Sequence, residues 1–367
     1  SLFRKGDTLK QSDLAATLSR IQSNGIDGFY KGETARLITD EMRRGGGLIT
    51  EDDLAEYKPI IRKPLTGTYR GYEIITMPPS SSGGLCLIEI MNIIEKYNLD
   101  SLGYHSSQSV HIISEAMKRA YADRAEYMGD PDYVAIPVDG LISKEYAALR
   151  STTIDSFYAT PSESIKAGVI REHTNTTHYS VIDSSGNCVA VTYTLNDLFG
   201  SQVVVDGAGF FLNNEMDDFS AKPGVANSYG LTGGYANSIE PGKRPLSSMA
   251  PTIVLKDGKP ILILGARGGS RIITGVLQVI LNVLDYRMNI ENAVNAPRFH
   301  HQWIPDELIY EKDCFNNDVV LNLQERGYHT KEVTSKIGAL EIIYLDPDSG
   351  WIYGVPDFRE GGVAVGY

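Results

Sequence analysis

Cysteine is scarce, and the three thiols Cys86, Cys188 and Cys314 are scattered. That number and spacing exclude a disulfide framework and a thiolate metal cluster. Basic residues are in the minority, 34 Lys and Arg against 46 Asp and Glu, for a formal charge of -12. With no clustered basic run to neutralise a phosphate backbone, nucleic acid is excluded as a partner. Long apolar runs are missing too. The most hydrophobic stretch, Ile272 to Leu284, is too short and too broken by Thr274, Gly275 and Gln278 to cross a bilayer, and reads as a buried helix. No fixed-period repeat is visible, which excludes a solenoid or propeller. No secretory leader precedes Ser1, and the sequence starts inside an ordinary helical pattern, so an N-terminal portion is expected to lie outside it.

What is present is enough to bury a large core: 367 residues, 42% hydrophobic and 22% charged. One cooperative body is expected, although the length would also suit two or three domains. Up to about Arg150 the pattern is mainly helical. Leu14, Leu18 and Ile21 share one helical face, with Ser12 as N-cap and Gly25 as the stop. A second helix is predicted from about Glu33 to Arg44. Thr50 and Asp53 resemble a capping box, and Thr66 to Thr76 alternates as a strand. Pro79 to Gly84 reads as a tight turn with a Ser N-cap, leading into a helix from Leu85 to about Tyr97, and a longer helix runs from Ser106 to Tyr127. Pro161 to Thr177 is polar and aperiodic, hence an exposed connector. Beyond it come short strands and Gly-rich turns, with one long helix from about Ser270 to Tyr286. A helical half followed by a strand-rich half predicts a layered α+β architecture.

The chemically informative segment runs from Thr176 to Asn196, two alternating arms around a Gly-containing turn. A two-residue turn at Ser185-Gly186 pairs Asp183 with Cys188 and sets Thr176 opposite Leu195. Thr194 and Asn196 fall on one face because side chains alternate along a strand. Two hydroxyls and an amide therefore gather at one hairpin end. Thr-rich strands usually just suit a half-exposed pleated surface, so the hairpin alone does not establish catalysis. An N-terminal threonine would carry its own base in its α-amine, which exists only after backbone cleavage.

Thr176 to Asp183 closely resembles the start of the small catalytic subunit of gamma-glutamyltransferases. The resemblance extends through Leu212 to Ser220, Lys243 to Met249, Gly268 to Ile273 and Asn295 to His301, and in the first half through Asp13 to Leu18, Gly28 to Gly32 and Gly46 to Thr50. It implies the four-layer αββα sandwich of N-terminal-nucleophile hydrolases. It also implies self-cleavage between Asn175 and Thr176, giving a large-subunit-like portion, 1–175, and a small catalytic portion, 176–367, that form a heterodimer. Thr176 would then be the nucleophile, with Thr194 activating it. Asn196, Glu215 and Asp218 would hold the substrate ammonium, for which carboxylates are suitable acceptors. Ser247 and Ser248 would donate to the substrate carboxylate.

Gly268 and Gly269 lie between a predicted strand, Pro260 to Leu264, and the helix near Ser270. Backbone N–H groups there suit an oxyanion. Lys222 to Ser238, with Tyr229 near its centre, resembles the family's substrate lid. The family's arginine for the substrate carboxylate belongs to a motif not found in this sequence. The resemblance implies glutathione and other gamma-glutamyl amides as donors, water, amino acids or dipeptides as acceptors, no metal or organic cofactor, and a periplasmic or secreted location. Competing readings are a cephalosporin or glutaryl acylase, a poly-gamma-glutamate-processing enzyme, or an uncut, inactive precursor. Gly265 to Ser270 lacks the Lys-Ser/Thr ending of a phosphate loop, and adjacent His300 and His301 point apart, so both read as structural.

Overall fold

The computed structural model describes residues 3–166, 176–220 and 234–366. They form two compact units rather than the single body expected from composition. The smaller comprises residues 1–62 and 197–214 and holds α1 (Ser12–Asn24), α2 (Asp27–Tyr30), α3 (Gly32–Gly45) and α4 (Glu51–Glu56). Its own small core of Ala35, Ile38, Leu54, Val205 and Ala208 explains the separation. The Thr50–Asp53 capping box forms with both bonds, and Gly25 ends α1 at φ 59°. Ser12 is not the N-cap, because α1 already includes it and Gln11 precedes it. Leu18 stays exposed while Thr17 is buried, its hydroxyl donating to the Ala208 carbonyl at 2.9 Å.

The larger unit, residues 63–196 and 215–367, begins with β1 (Leu65–Tyr69) and β2 (Tyr72–Thr76), so the single predicted strand is a hairpin turning at Arg70-Gly71. Then come α5 (Gly83–Ile94), α6 (Leu99–Leu102), α7 (Ser107–Tyr127), α8 (Val138–Leu141) and α9 (Lys144–Ser151). After the connector follow β3 (Thr176–Ile182), β4 (Cys188–Thr194), β5 (Thr252–Lys256), β6 (Lys259–Arg267), α10 (Arg271–Leu284) and α11 (Ile290–Asn295). The chain finishes with β7 (Phe299–His300), β8 (Leu308–Glu311), α12 (Asn317–Glu325), β9 (Thr330–Val333), β10 (Ala339–Leu345) and β11 (Ile352–Pro356).

Six strands form an antiparallel sheet in the order β1-β2-β5-β6-β10-β11. Helices α5 and α10 pack against this sheet, with α7 on α5. The apolar residues of α5 and α10 are buried nearly throughout, as the long hydrophobic pattern requires. The β3–β4 hairpin forms a second sheet that packs on β6 and β10. Helices, sheet and second sheet therefore make three successive layers, α, β and β, of the expected αββα sandwich. Gly265 permits the two sheets to meet, since a Cβ there would lie 2.3 Å from the His178 ring. No helix among the described residues is long and apolar enough to cross a membrane.

Candidate active site

The hairpin register brings the first two site residues together. Thr176 pairs directly with Thr194, and Ile182 with Cys188. This is one residue away from the predicted pairing. The cause is a longer turn: the Asp183 N–H donates to the Asn187 carbonyl and the Gly186 N–H to the Asp183 carbonyl, with Gly186 at φ 83°. Three residues therefore turn the chain where two were expected, and the Asp183 carboxylate fixes them by accepting from Ser185 and Asn187 N–H. Just past β4, Asn196 adopts φ 70°, a left-handed conformation that Asn tolerates, and its N–H donates to Thr194 Oγ1 at 2.8 Å.

A narrow cleft of about 20 Å³ is lined by Thr176, Thr194, Asn196, Asp218, Ser247, Ser248, Met249, Gly269 and Ile272. Seven of the residues singled out in the sequence thus share one wall-to-wall space although they come from five separate segments. Glu215 opens the 3-10 turn that ends at Asp218 but is not part of the lining. Gly268 is likewise outside the lining: it precedes Gly269 and its α-carbon faces Gly338. Asn175, Tyr229 and residues 222–233 of the predicted lid lie outside the described residues.

The loop bearing Ser247 and Ser248 is stitched to the Pro79–Gly84 turn. Ser247 N–H donates to the Ser80 carbonyl at 3.0 Å, and Ser82 returns both its N–H and its hydroxyl to the Ser247 carbonyl at 2.7 Å each. Ser82 therefore does not cap α5, as its sequence position suggested, but holds the neighbouring loop. Gly83 allows the approach, since a Cβ there would lie 2.4 Å from the Met249 carbonyl oxygen. Buried Arg124 of α7 donates from Nε to Ser82 Oγ at 2.6 Å and from Nη2 to Ser248 Oγ at 3.1 Å. A hydroxyl that accepts from a guanidinium keeps its single proton for donation elsewhere, which suits Ser248 to an anionic ligand.

Arg124 escaped the sequence reading, and Asn237 entered it only as part of the predicted lid, Lys222 to Ser238. Asn237 donates to the Asp218 carbonyl at 2.7 Å and accepts from the Leu246 N–H at 3.0 Å, joining the acidic turn to the serine loop. Neither carries a local motif. Arg124 lies within a helix whose other residues are nearly all buried, and that its cation is enclosed shows only in the folded structure.

A larger cavity of about 280 Å³ lies between β3, β10, β11 and the chain end, lined by His178, Ser180 and Glu341 among others. It does not contain Thr176 or the serine pair. Burial pushes the His178 imidazole down to about 4, and its two nitrogens pair with Thr192 Oγ1 (2.8 Å) and Ser180 Oγ (3.1 Å). These bonds spend the imidazole on joining strands. His300 and His301 are similarly enclosed: His300 meets Thr274 Oγ1 at 2.9 Å, and His301 Nε2 stands 3.2 Å from Asp306.

The sequence model of the family described as gamma-glutamyltranspeptidase matches residues 1–367. A glutathione hydrolase proenzyme of Escherichia coli (strain K12) is 51% identical over 97% of this chain and 61% of its own length. One from Pseudomonas sp. (strain A14) is 48% identical over 100% of this chain and 65% of its own. The chain thus spans less than two thirds of these relatives. Among solved structures, a cephalosporin acylase from Bacillus halodurans superposes with a TM-score of 0.82 at 30% identity, over 97% of this chain and 62% of that protein.

Proposed function

Because the chain belongs to the gamma-glutamyltranspeptidase family, we propose that Thr176, freed by self-cleavage after Asn175, transfers gamma-glutamyl groups from glutathione and related amides. The observation that carries this is the placement of Thr176, at the head of β3 and opposite Thr194, in one cleft with Asn196, Asp218, Ser247, Ser248 and Gly269. After cleavage, portions 1–175 and 176–367 remain together as a heterodimer.

Chemistry follows from the groups available. The new α-amine takes the proton of Thr176 Oγ1 as the oxygen attacks the gamma-carbonyl carbon. Thr194 positions that hydroxyl, and the backbone at Gly268 and Gly269, near the start of α10, offers N–H donors to the oxyanion. Collapse breaks the C–N bond, the leaving amine takes the proton, and a gamma-glutamyl ester on Thr176 remains. Water or an amino acid or dipeptide amine then attacks the ester. Asp218 and Glu215 balance the substrate ammonium beside Asn196, while Ser247 and Ser248 donate to its α-carboxylate. Tyr229 and the lid segment would enclose the bound substrate. The proposed location is periplasmic or secreted.

An acylase activity is the second reading, favoured by the superposition on the cephalosporin acylase. The higher identity to glutathione hydrolases favours the first. Intact-mass measurement of the denatured protein should reveal a fragment beginning at Thr176, and Thr176→Ala should remain a single chain. Turnover of a gamma-glutamyl anilide but not of a glutaryl amide separates the two activities. Continued cutting of Thr176→Ala at the same bond would refute the proposed nucleophile.

A further inference from the structure

Away from the cleft, buried charge gathers where α7 meets the connector that follows α9. Glu115, Lys118 and Arg119 of α7 are almost wholly enclosed, which is tolerable only when each charge finds partners. They grip one short stretch of chain. Thr160 donates its N–H to Glu115 Oε1 at 3.1 Å, its carbonyl accepts from Lys118 Nζ at 2.8 Å, and its hydroxyl accepts from Arg119 Nη2 at 3.3 Å.

Two residues later the Ser162 N–H donates to Asp306 Oδ2 at 2.9 Å, and the Ser162 carbonyl accepts from the Trp303 indole N–H at 2.7 Å. Asp306 also lies 3.4 Å from Lys118 Nζ, joining the two grips. Four of these bonds reach backbone atoms of Thr160 or Ser162, so they fix the path of the chain. Ile165 is buried just beyond, and Thr176 is buried at the head of β3. Ten residues, 166–175, separate them.

We infer that Lys118, Trp303 and Asp306 are positioning residues for self-cleavage, clamping the chain ahead of the Asn175–Thr176 bond so that the scissile segment is a short tether between two fixed ends. This rests on the reading of Thr176 as the self-cleaving residue. A short tether raises the effective concentration of the bond at the site. Opening the Ser162 grip moves the upstream hold back to Thr160, which Glu115 and Arg119 still bind. By loop-closure scaling the added slack slows cleavage by about twofold, and lost orientation slows it further. Since Ser162 precedes the cut while Trp303 and Asp306 follow it, the same bonds tie the two portions together afterwards.

The test is cell-free synthesis of the complete precursor, with the half-life of the Asn175–Thr176 bond followed by gel and intact mass. Trp303→Phe and Asp306→Asn should lengthen that half-life at least about twofold. Processed enzyme from the same variants should keep its KM and kcat for a gamma-glutamyl anilide. Ser162→Pro deletes the N–H that Asp306 receives, together with the Ser162 hydroxyl, while the Ser162 carbonyl stays for Trp303. It should slow cutting in the same way, and it stands in if Asp306→Asn does not fold. An unchanged half-life in the variants that fold, or processing lost in step with mature activity and melting temperature, overturns the positioning role. Thr176→Ala run alongside separates the two readings: cutting in that variant removes Thr176, whereas an uncut Thr176→Ala beside normally cut clamp variants removes the clamp alone.

Discussion

Asp218 reaches the cleft from a 3-10 turn that Asn237 ties to the serine loop, so its carboxylate is placed from two sides. If it binds a substrate ammonium, Asp218→Ala removes a charge-assisted contact of about 1.5 to 3 kcal/mol. That loss should appear as a drop in kcat/KM of about 10- to 150-fold. An unchanged kcat/KM for the anilide would make Asp218 a solvated loop acid. The proposed base is a group that exists only after cleavage. An α-amine has an ordinary pKa of about 7.7 to 8.0 and accepts a proton only when neutral. Activity should therefore rise with pH up to or through that range, and acetylating the processed amine should abolish turnover although every side chain remains. An acetylated enzyme of undiminished rate would transfer the base role to another group.

At the scale of elements, the site depends on how closely two loops approach. Gly83 starts α5 and its α-carbon faces the Ser248 and Met249 carbonyls. A methyl group there would collide with backbone, which cannot turn aside as a flexible side chain can. Gly83→Ala should displace the serine loop and lower kcat/KM at least tenfold, more than the accompanying fall in melting temperature would explain. Steady-state kinetics beside a thermal melt tests this, and equal kinetics would mean that the loop tolerates the shift. The hairpin shows what elements reveal in sequence. Thr194 and Asn196 do share the cleft, but not by the strand alternation expected, since β4 ends at Thr194 and Asn196 lies past it at φ 70°. The pairing partner of Thr176 depended on turn length, which Ser185-Gly186 did not specify without the Asp183 bonds.

Across the larger unit, several histidines are buried in neutral form. Burial pushes His105, His178 and His301 down to about 4 and His300 to about 3. Between the ordinary value of 6.5 and these lowered values the unfolded chain takes up protons that the folded one refuses. Stability should therefore fall as pH drops from about 6.5 to 4. At about 1.4 kcal/mol per pKa unit, the four groups together lose on the order of 10 kcal/mol by pH 4. Glu341 acts oppositely. Burial and then Asp357 push its carboxyl up to about 7. The folded state therefore binds its proton more tightly, and that contribution is lost as pH rises from about 4.5 to 7. Thermal melts across this range should show the acid decline, and Glu341→Gln should remove the opposing contribution. A melting temperature independent of pH between 6.5 and 4 would contradict the neutral burial of these histidines.

Local patterning by itself determined the α10 helix, the Thr50–Asp53 cap and the α7 start at Ser106. Each rests on interactions within a few residues, where periodicity and capping chemistry act. The serine pair and Asp218 were legible only through several motifs standing in family order, since isolated serines and loop acids are ordinary. Tertiary structure alone decided the division into two units and the contacts of Arg124, Asn237 and Ser82. Arg124 meets Ser248 across 124 positions of sequence, and Asn237 joins two loops by its own amide. Such pairings depend on where distant segments come to rest, because a buried polar group is satisfied by whatever partner the packing brings to it.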